Sequence, residues 1–184
     1  LAGLEKANGP QAEDLAVQRL LMGHALIAGF GGIPLIYMGD ELAMLNDMTY
    51  LSVPQHAHDS RWVHRPKMDW ALAETRHGGE TPAARVFAGL RAILARRRAT
   101  PALHGAVPTQ VLDTGNATVF AFRRAAPVEG LVCLFNFSEG WQHIPGDWLR
   151  GAGVVEFHDA LSDRPVQLHG DNLALPPYGR VWLR

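Results

Sequence analysis

The sequence lacks several features that would assign it to a class at once. Its single cysteine, Cys133, excludes an internal disulfide framework. The 17 basic and 18 acidic residues nearly cancel to a net charge of -1, so neither nucleic acid nor a membrane surface is indicated as a partner. No apolar run reaches the length of a membrane span, and no segment has the pattern of a secretion signal. The nine histidines are scattered, and His56, His58 and His64 do not have the spacing of a zinc site, so no metal is expected.

What is present suits a globular chain with room for one large or two small domains. Of its 184 residues 47% are hydrophobic and 19% charged. The pattern changes near residue 100, from helical spacing to short alternating stretches. We therefore predict two units, residues 1–99 and 100–184. The chain begins at Leu1 rather than Met, which hints at a piece of something longer.

The first unit has the order helix, strand, helix. A helix is predicted from Ala12 to the glycines at 29–32, and a second from Pro82, a residue that suits the first helical turn. Between them the apolar run Ile33–Met38, bounded by glycines, predicts a parallel strand buried on both faces. The arginines at 96–98 are interpreted as the solvated end of the second helix. This order indicates an α/β fold, with its chemistry at the carboxyl end of the strand.

Asp40 and Glu41 lie at that strand end. Retaining glycoside hydrolysis uses two carboxyl groups about 5–5.5 Å apart. Because Asp40 and Glu41 are adjacent, they would face opposite ways on a continuing strand, which makes them poor candidates for such a pair. The alternative is that they cap the next helix or pair with an arginine.

The segment 39–81 is long for a connection in a compact domain, which favours a functional role. It contains the cluster Asp59-Ser60-Arg61-Trp62. The guanidinium fork of Arg61 suits sugar hydroxyls or a carboxylate. Trp62 could stack on a sugar or simply anchor the loop.

The second unit is predicted to be an antiparallel β-sandwich with little helix. The expected strands are residues 109–112, 117–123, 131–137, 154–158, 166–169 and 179–183. Turn signals separate them at residues 113–116, 127–130 and 170–172. The expected core includes Ala121, Leu134, Phe135, Phe137, Val155, Phe157, Val181 and Trp182, and Cys133 is interpreted as inert core. At about 80 residues this unit could be stable alone.

These motifs together resemble a known family. Residues 32–41, which read GIPLIYMGDE, resemble the eighth barrel strand of the α-amylase superfamily, glycoside hydrolase family 13. The finer resemblance is to amylosucrases and related sucrose hydrolases. It is carried by Leu45-Asn46-Asp47, Asp59-Ser60-Arg61-Trp62, His64-Arg65-Pro66, Leu1-Ala2-Gly3-Leu4-Glu5, residues 134–139 and residues 175–183.

The resemblance implies an α/β plus all-β fold: the last strand–helix portion of a (β/α)8 TIM barrel, followed by the sandwich. Residues 1–99 would hold barrel helix 7, strand 8, the long loop 8 and helix 8. Such enzymes cleave sucrose through a covalent glucosyl-enzyme intermediate, and their nucleophile, acid/base and His-Asp pair come from strands four, five and seven. No catalytic residue of that set would lie in this chain. No cofactor is implied, and the partners would be sucrose, an α-glucan and the missing N-terminal barrel portion.

One pocket residue is implied to lie here. Arg61 matches the family arginine that pairs with an aspartate at the floor of the glucose pocket, and that partner would lie outside this chain. We expect Asp59 to orient Arg61. His58 stands where some relatives carry an aspartate, so the local charge differs.

Two other functions stay open from the residues. One is another family 13 enzyme, such as an α-glucosidase or a trehalose synthase. The other is a non-catalytic carbohydrate-binding module, for which Trp141 and Trp148 could form a small platform. The choice between glucan and water as acceptor and the cellular location also stay open. In any of the barrel enzymes, residues 12–98 should expose apolar surface, because one strand and two helices cannot close a barrel.

Overall fold

The computed structural model describes residues 2–126 and 129–184. Leu1 and the part of the expected turn at Pro127–Val128 lie outside the described residues. The helical half contains α1 (Pro10–Phe30), α2 (Trp70–Glu74) and α3 (Pro82–Ala99). Short 3-10 turns occur at Leu4–Lys6, Asp40–Leu42, Met48–Ser52, Ser60–His64, Thr75–His77 and Pro101–Leu103.

The two long helices begin and pack as their sequences dictate. Each starts with a proline, which has no backbone N–H to leave unpaired, and the Thr81 hydroxyl accepts a hydrogen bond from the Ala84 N–H at 3.2 Å. α1 packs against α3, and a Cβ at Gly89 would lie 2.5 Å from a Leu21 methyl carbon. Gly89 therefore permits the close approach of the two helices. Within the described residues, no helix is long and apolar enough to cross a membrane.

The prediction of a buried strand at 33–38 is wrong for this chain. The segment has no regular secondary structure, and the exposed fractions of Ile33 and Leu35 are 96% and 78%. A parallel strand inside a sheet needs a hydrogen-bonded neighbour on each side and a layer over each face. No strand within 2–126 and 129–184 pairs with this segment, so its backbone joins no ladder. The predicted exposure of apolar surface in residues 12–98 is found here.

The second half is built on antiparallel strands. They are β1 (Thr109–Leu112), β2 (Val119–Arg124), β3 (Leu131–Asn136), β4 (Gln142–Pro145), β5 (His158–Asp159), β6 (Arg164–Pro165), β7 (Asn172–Leu175) and β8 (Arg180–Leu183), with helix α4 (Gly146–Ala152) after β4. Six strands form one sheet in the order β1-β2-β3-β8-β5-β6, and β4 pairs with β7 in a second. The register aligns Phe122 with Cys133 and Cys133 with Trp182, so these side chains share one face.

The larger sheet is covered on both faces. One face, with Phe122, Phe135 and Trp182, packs on α1 and α3. The other, with Ala121, Leu134 and Leu183, packs on the small sheet and α4. The second unit is therefore a sandwich of unequal sheets whose outer face needs the helices. This arrangement argues against the expectation that residues 100–184 are stable alone, because without the helices three fully buried aromatic rings would meet water.

Most of the expected strands form, and the differences have physical reasons. Residues 154–157 and 166–169 lie outside the strands, whereas β4, β7 and α4 were not predicted. Phe137 and Val155 were expected in the core but are 51% and 87% exposed. Phe137 follows the last residue of β3, and Val155 lies in the irregular stretch between α4 and β5, so neither belongs to a strand that is covered by a second layer. Cys133 is fully buried as expected, and burial raises the pKa of its thiol.

The interpretation of the arginines at 96–98 as a solvated helix end is wrong for two of them. Arg96 donates to the Ala160 carbonyl at 2.7 Å and pairs with Asp163 at 2.8 Å. Arg97 donates to the Gly32 carbonyl at 2.8 Å and to the Ala28 carbonyl. These side chains tie α3 to the sheet half and to the carboxyl end of α1, where cations interact favourably with the helix dipole.

Candidate functional site

The candidate site lies in the connection between Gly39 and α2, which folds as a chain of short turns. Two of its parts are tied together, because the Asp47 N–H donates to the Val63 carbonyl at 2.9 Å. The His64 ring nitrogen Nδ1 lies 2.9 Å from the Asn46 amide oxygen, and the Asn46 N–H donates to the Glu5 carboxylate at 2.7 Å. The loop is therefore held by these polar contacts together with the buried Leu42 and Ala43 at its start.

Asp59 and Arg61 form the most regular constellation in the loop. Asp59 caps the turn Ser60–His64, and its Oδ1 accepts the Arg61 N–H at 3.0 Å. The Arg61 guanidinium returns to the same carboxylate, with Nε 2.8 Å from Oδ1 and Nη2 2.8 Å from Oδ2. This two-point fork fixes the plane of the guanidinium. The Arg61 side chain is 76% exposed, which leaves its outer edge open to a ligand.

Both charges of this pair are present across the physiological pH range. The hydrogen bonds from Arg61 lower the pKa of Asp59 to about 2. The same contacts raise the pKa of Arg61 above its ordinary value. Within the described residues Arg61 pairs with Asp59, and the aspartate that the family resemblance assigns to it would belong to another part of the protein.

Trp62 serves the loop rather than an open surface. Its ring stacks on the His56 ring with centroids 3.7 Å apart and planes 15° apart, and the Arg65 guanidinium lies 5.5 Å from its centroid. One face of the indole is thus covered by a neighbour in the same loop. Of the two interpretations given to Trp62, these contacts favour the loop anchor.

Asp40 and Glu41 lie at the start of the loop, in the turn that follows residues 33–38. Glu41 accepts the Gly39 N–H at 2.9 Å, so it closes this turn. The Asp40 carboxylate is half exposed and lies 4.0 Å from Nε2 of His24. Neither carboxylate forms a hydrogen bond or ion pair with Arg61. The structure therefore brings Asp59 to Arg61 and leaves Asp40 and Glu41 to local roles.

His24 is a site residue that sequence reasoning missed. It lies on the buried face of α1 at 8% exposure, and its Nδ1 has no hydrogen-bond partner among the described residues. Burial lowers its pKa, and the charge of Asp40 offsets this only in part. With Asp40, Asn46 and His64 it lines an open cavity of about 710 Å³. A histidine within an otherwise apolar helix face was the only signal in the sequence.

The described residues contain no group of three histidine, cysteine or acidic side chains placed to hold a metal ion. His56 is stacked on Trp62 and His64 faces Asn46, so these two rings have other contacts.

The sheet half of the chain matches a known protein family. Residues 109–184 match the model of a protein family described as the C-terminal domain of amylosucrase. The match covers β1 to β8, and well under half of the chain.

Solved structures extend the likeness to nearly the whole chain. A cyclic α-maltosyl-(1→6)-maltose hydrolase from Arthrobacter globiformis has a TM-score of 0.61 at 19% identity, over 94% of this chain and 31% of that one. A maltogenic amylase from S. marinus has a TM-score of 0.61 at 16% identity, over 96% and 21%. A trehalulose synthase mutant has a TM-score of 0.64 at 20% identity, over 91% and 38%.

These likenesses show the fold of the chain. It matches the part of carbohydrate-active enzymes that carries the C-terminal sheet, and it spans between 21% and 38% of their length.

Proposed function

We propose that this chain is the C-terminal part of a sucrose-acting, retaining α-glucoside enzyme of glycoside hydrolase family 13. The complete enzyme would transfer the glucosyl group of sucrose to an α-glucan or to water and release fructose. The nucleophile and acid/base belong to the portion before this chain, so the chain alone is inactive. The family match of the sheet half and the Asp-Ser-Arg-Trp loop together support this proposal.

The observation that carries the proposal is the geometry of Arg61. Asp59 holds the guanidinium by two contacts of 2.8 Å, and most of the side chain faces outward. A pre-oriented guanidinium can donate to two neighbouring sugar hydroxyls or to a second carboxylate without losing much side-chain freedom on binding. That is what a residue needs if it is to close one end of a sugar pocket.

The exposed segment 33–38 supports the same proposal. Its apolar side chains suit a strand that lies between two other strands. One of them, Ile36, is already partly buried against the core to which α1 and α3 contribute. Pairing with strands of the preceding portion would satisfy its backbone and cover Ile33 and Leu35. The barrel, with residues 1–99 as its end and 100–184 as the C-terminal sandwich, is thus part of the proposal.

The first test substitutes Arg61 in the complete enzyme. We expect Arg61→Ala to lower sucrose turnover about 10–100-fold, because a charged hydrogen-bond donor to the sugar is lost. Fructose release measures this. Arg98→Ala, at the exposed end of α3, is the matched control and should leave turnover unchanged. Equal losses from the two variants would contradict the pocket assignment.

A second test separates the chain from the complete enzyme. Intact-mass spectrometry of the purified material should show one species near 20.1 kDa, and that species should release no fructose from sucrose. Turnover by this species alone would require a catalytic role for Asp40, Glu41 or Asp59, and the proposal would be wrong.

Assaying maltose and trehalose with the complete enzyme tests the other family 13 activities.

A second candidate function is supported by two exposed aromatic rings. Phe137 and Trp141 lie in the loop after β3 with 51% and 62% of their surfaces exposed, a pattern that suits stacking on a glucan. Trp148 does not extend this platform, because its indole N–H donates to the Asp113 carbonyl and its ring packs on the inner core. Affinity electrophoresis in glycogen tests this function: Trp141→Ala should remove retardation, whereas unchanged retardation would contradict it.

A further inference from the structure

A second cavity lies on another side of the molecule from the Arg61 loop. It has a volume of about 630 Å³ and opens between α1, α3 and the sheet half. Its walls are largely apolar and come from both halves, with Leu15, Ile93, Leu161, Pro176, Pro177 and Val181. The polar side chains in the lining are Asp14, Gln18, Asp159, Ser162 and Arg180. A cavity of this size and character is typical of small-molecule sites.

The guanidinium of Arg180 faces this cavity and has few hydrogen-bond partners. Arg180 lines the wall, and its Nη1 contacts the Gln18 amide oxygen at 3.1 Å and, weakly, the Tyr178 carbonyl at 3.5 Å. Its Nε and Nη2 donate to no described residue, and neither is a fully buried atom without a partner, so both are open to the cavity. Burial lowers the pKa of Arg180 to about 10, and the charge of Asp159 opposes this only in part. An anion that enters the cavity therefore stabilises this partly desolvated cation.

The charged groups Arg124, Asp159 and Asp14 have partners, and Asp14, which also lines the cavity, forms an ion pair with Arg85. Arg124, at 0% exposure, donates to the carbonyls of Ala102, Phe30 and His104 and to the Thr109 hydroxyl. The Asp159 carboxylate accepts four hydrogen bonds, from the N–H groups of residues 161, 162 and 182 and from the Ser162 hydroxyl. Asp159 therefore has its negative charge compensated, and Arg180 has donors to spare.

We propose that this cavity binds a small carboxylic acid with an apolar body, whose carboxylate pairs with Arg180 while its hydrocarbon part lies against Leu15, Ile93 and Pro176. A sugar is a poorer match, because the described residues that line the cavity include no aromatic ring on which it could stack. The site is separate from the proposed sucrose chemistry, and its occupancy does not depend on that chemistry.

The test uses a series of linear carboxylates from butanoate to octanoate, followed by titration calorimetry and by the methyl signals of the protein. Octanoate should bind at about millimolar concentration or below, and affinity should rise roughly fourfold per methylene that the cavity buries. The Ile93 and Val181 methyl signals should shift, and that of Ile144, in the other core, should not. Octanol, which has the same chain without the charge, should bind at least roughly tenfold more weakly.

Two variants separate the charge from the cavity. Arg180→Gln should weaken octanoate binding roughly tenfold or more, whereas the exposed Arg164→Gln on β6 should have no effect. Ala92→Phe, on the outer surface of α3, should block the cavity while Arg180 and the fold stay intact. Equal binding of octanol and octanoate, unchanged binding in Arg180→Gln, or undiminished binding in Ala92→Phe would each overturn the proposal, as would no saturable binding to the unmodified chain.

Discussion

The two halves of this chain bury their apolar residues to very different degrees. In the sheet half Phe122, Leu134 and Trp182 are fully buried. In the helical half Ile33 is 96% exposed and Leu35 78% exposed. The difference follows from how many layers of structure cover each region. The six-stranded sheet is covered on both faces, by the helices on one side and by β4, β7 and α4 on the other. Residues 33–38 pair with no strand of the described part of the chain.

The two halves depend on each other at their junction, where α1, α3 and the larger sheet share one core. The sheet needs α1 and α3, because its outer face meets them through large rings. The helical half needs something else as well, which the proposed barrel would supply. Stability should therefore respond strongly to changes at the junction and weakly to changes in the exposed segment.

The largest effect should come from the ring at the centre of the junction. Trp182 packs between the sheet and α1, and its Nε1 lies 3.2 Å from where a Cβ on Gly29 would be. Trp182→Ala should lower the free energy of unfolding by about 3–5 kcal/mol, because it leaves a large cavity. Urea denaturation measures this. The control is Trp141→Ala, which removes a 62% exposed ring and should cost under about 0.5 kcal/mol. Similar losses would mean that the junction is not tightly packed.

A smaller but still large effect is expected at Arg124. Its guanidinium holds the Phe30 carbonyl at the end of α1 and the carbonyls of Ala102 and His104, which follow α3. Arg124→Met keeps the apolar stem but leaves these buried acceptors unpaired, so it should cost about 2–3 kcal/mol. Arg164→Met, at an exposed position of β6, is the matched control in the same denaturation experiment. Equal stability of the two variants would show that the polar contacts at the junction contribute little.

His24 should make the stability depend on pH. Burial holds its folded-state pKa below the ordinary 6.5, so the unfolded chain binds more protons once the pH falls below that value. Stability should therefore decrease as the pH falls from 6.5 towards the folded-state pKa, by up to about 1.4 kcal/mol for each unit of pKa difference. His24→Leu should reduce this dependence, and His143→Gln, at an exposed position of β4, should not. Parallel pH profiles of wild type and His24→Leu would contradict the assignment.

The smallest effect on stability is expected in the exposed segment. Leu35→Ser should change the free energy of unfolding by less than about 0.5 kcal/mol, since the side chain buries little. It should nevertheless reduce the binding of a dye that reports apolar surface. Leu134→Ser, in the fully buried strand β3, is the contrasting variant and should destabilise strongly. A strong loss of stability from Leu35→Ser would mean that this segment already has a partner surface.

Local sequence patterns predicted the fold well wherever the burial that they indicate is provided by other residues of this chain. The helices appear because their apolar spacing and their prolines act locally, and β2, β3 and β8 appear because both of their faces are buried within this chain. The pattern of residues 33–38 indicates burial as clearly, but burial requires neighbouring strands, and residues 2–126 and 129–184 supply none for this segment. Arg96 and Arg97 show the opposite case. Their charge predicted exposure to solvent, whereas in the fold their guanidinium groups donate hydrogen bonds to backbone carbonyls.

The candidate site was predictable in part. Asp59 and Arg61 are two residues apart, so their contact follows from a local turn. His24 and Asp40 are far apart in sequence, and only the packing of the loop against α1 brings them together. The cavity at Arg180 depends on both halves and had no signal in the sequence.

Hydrogen exchange followed by mass spectrometry tests the difference between the halves most directly. The amides of β2, β3 and β8 should exchange slowly, near the limit set by global unfolding, whereas residues 31–53 should exchange within seconds. In the proposed complete enzyme, residues 33–38 should be protected and the exchange of the sheet amides should be unchanged. Slow exchange of residues 33–38 in this chain alone, or no added protection in the complete enzyme, would contradict the account.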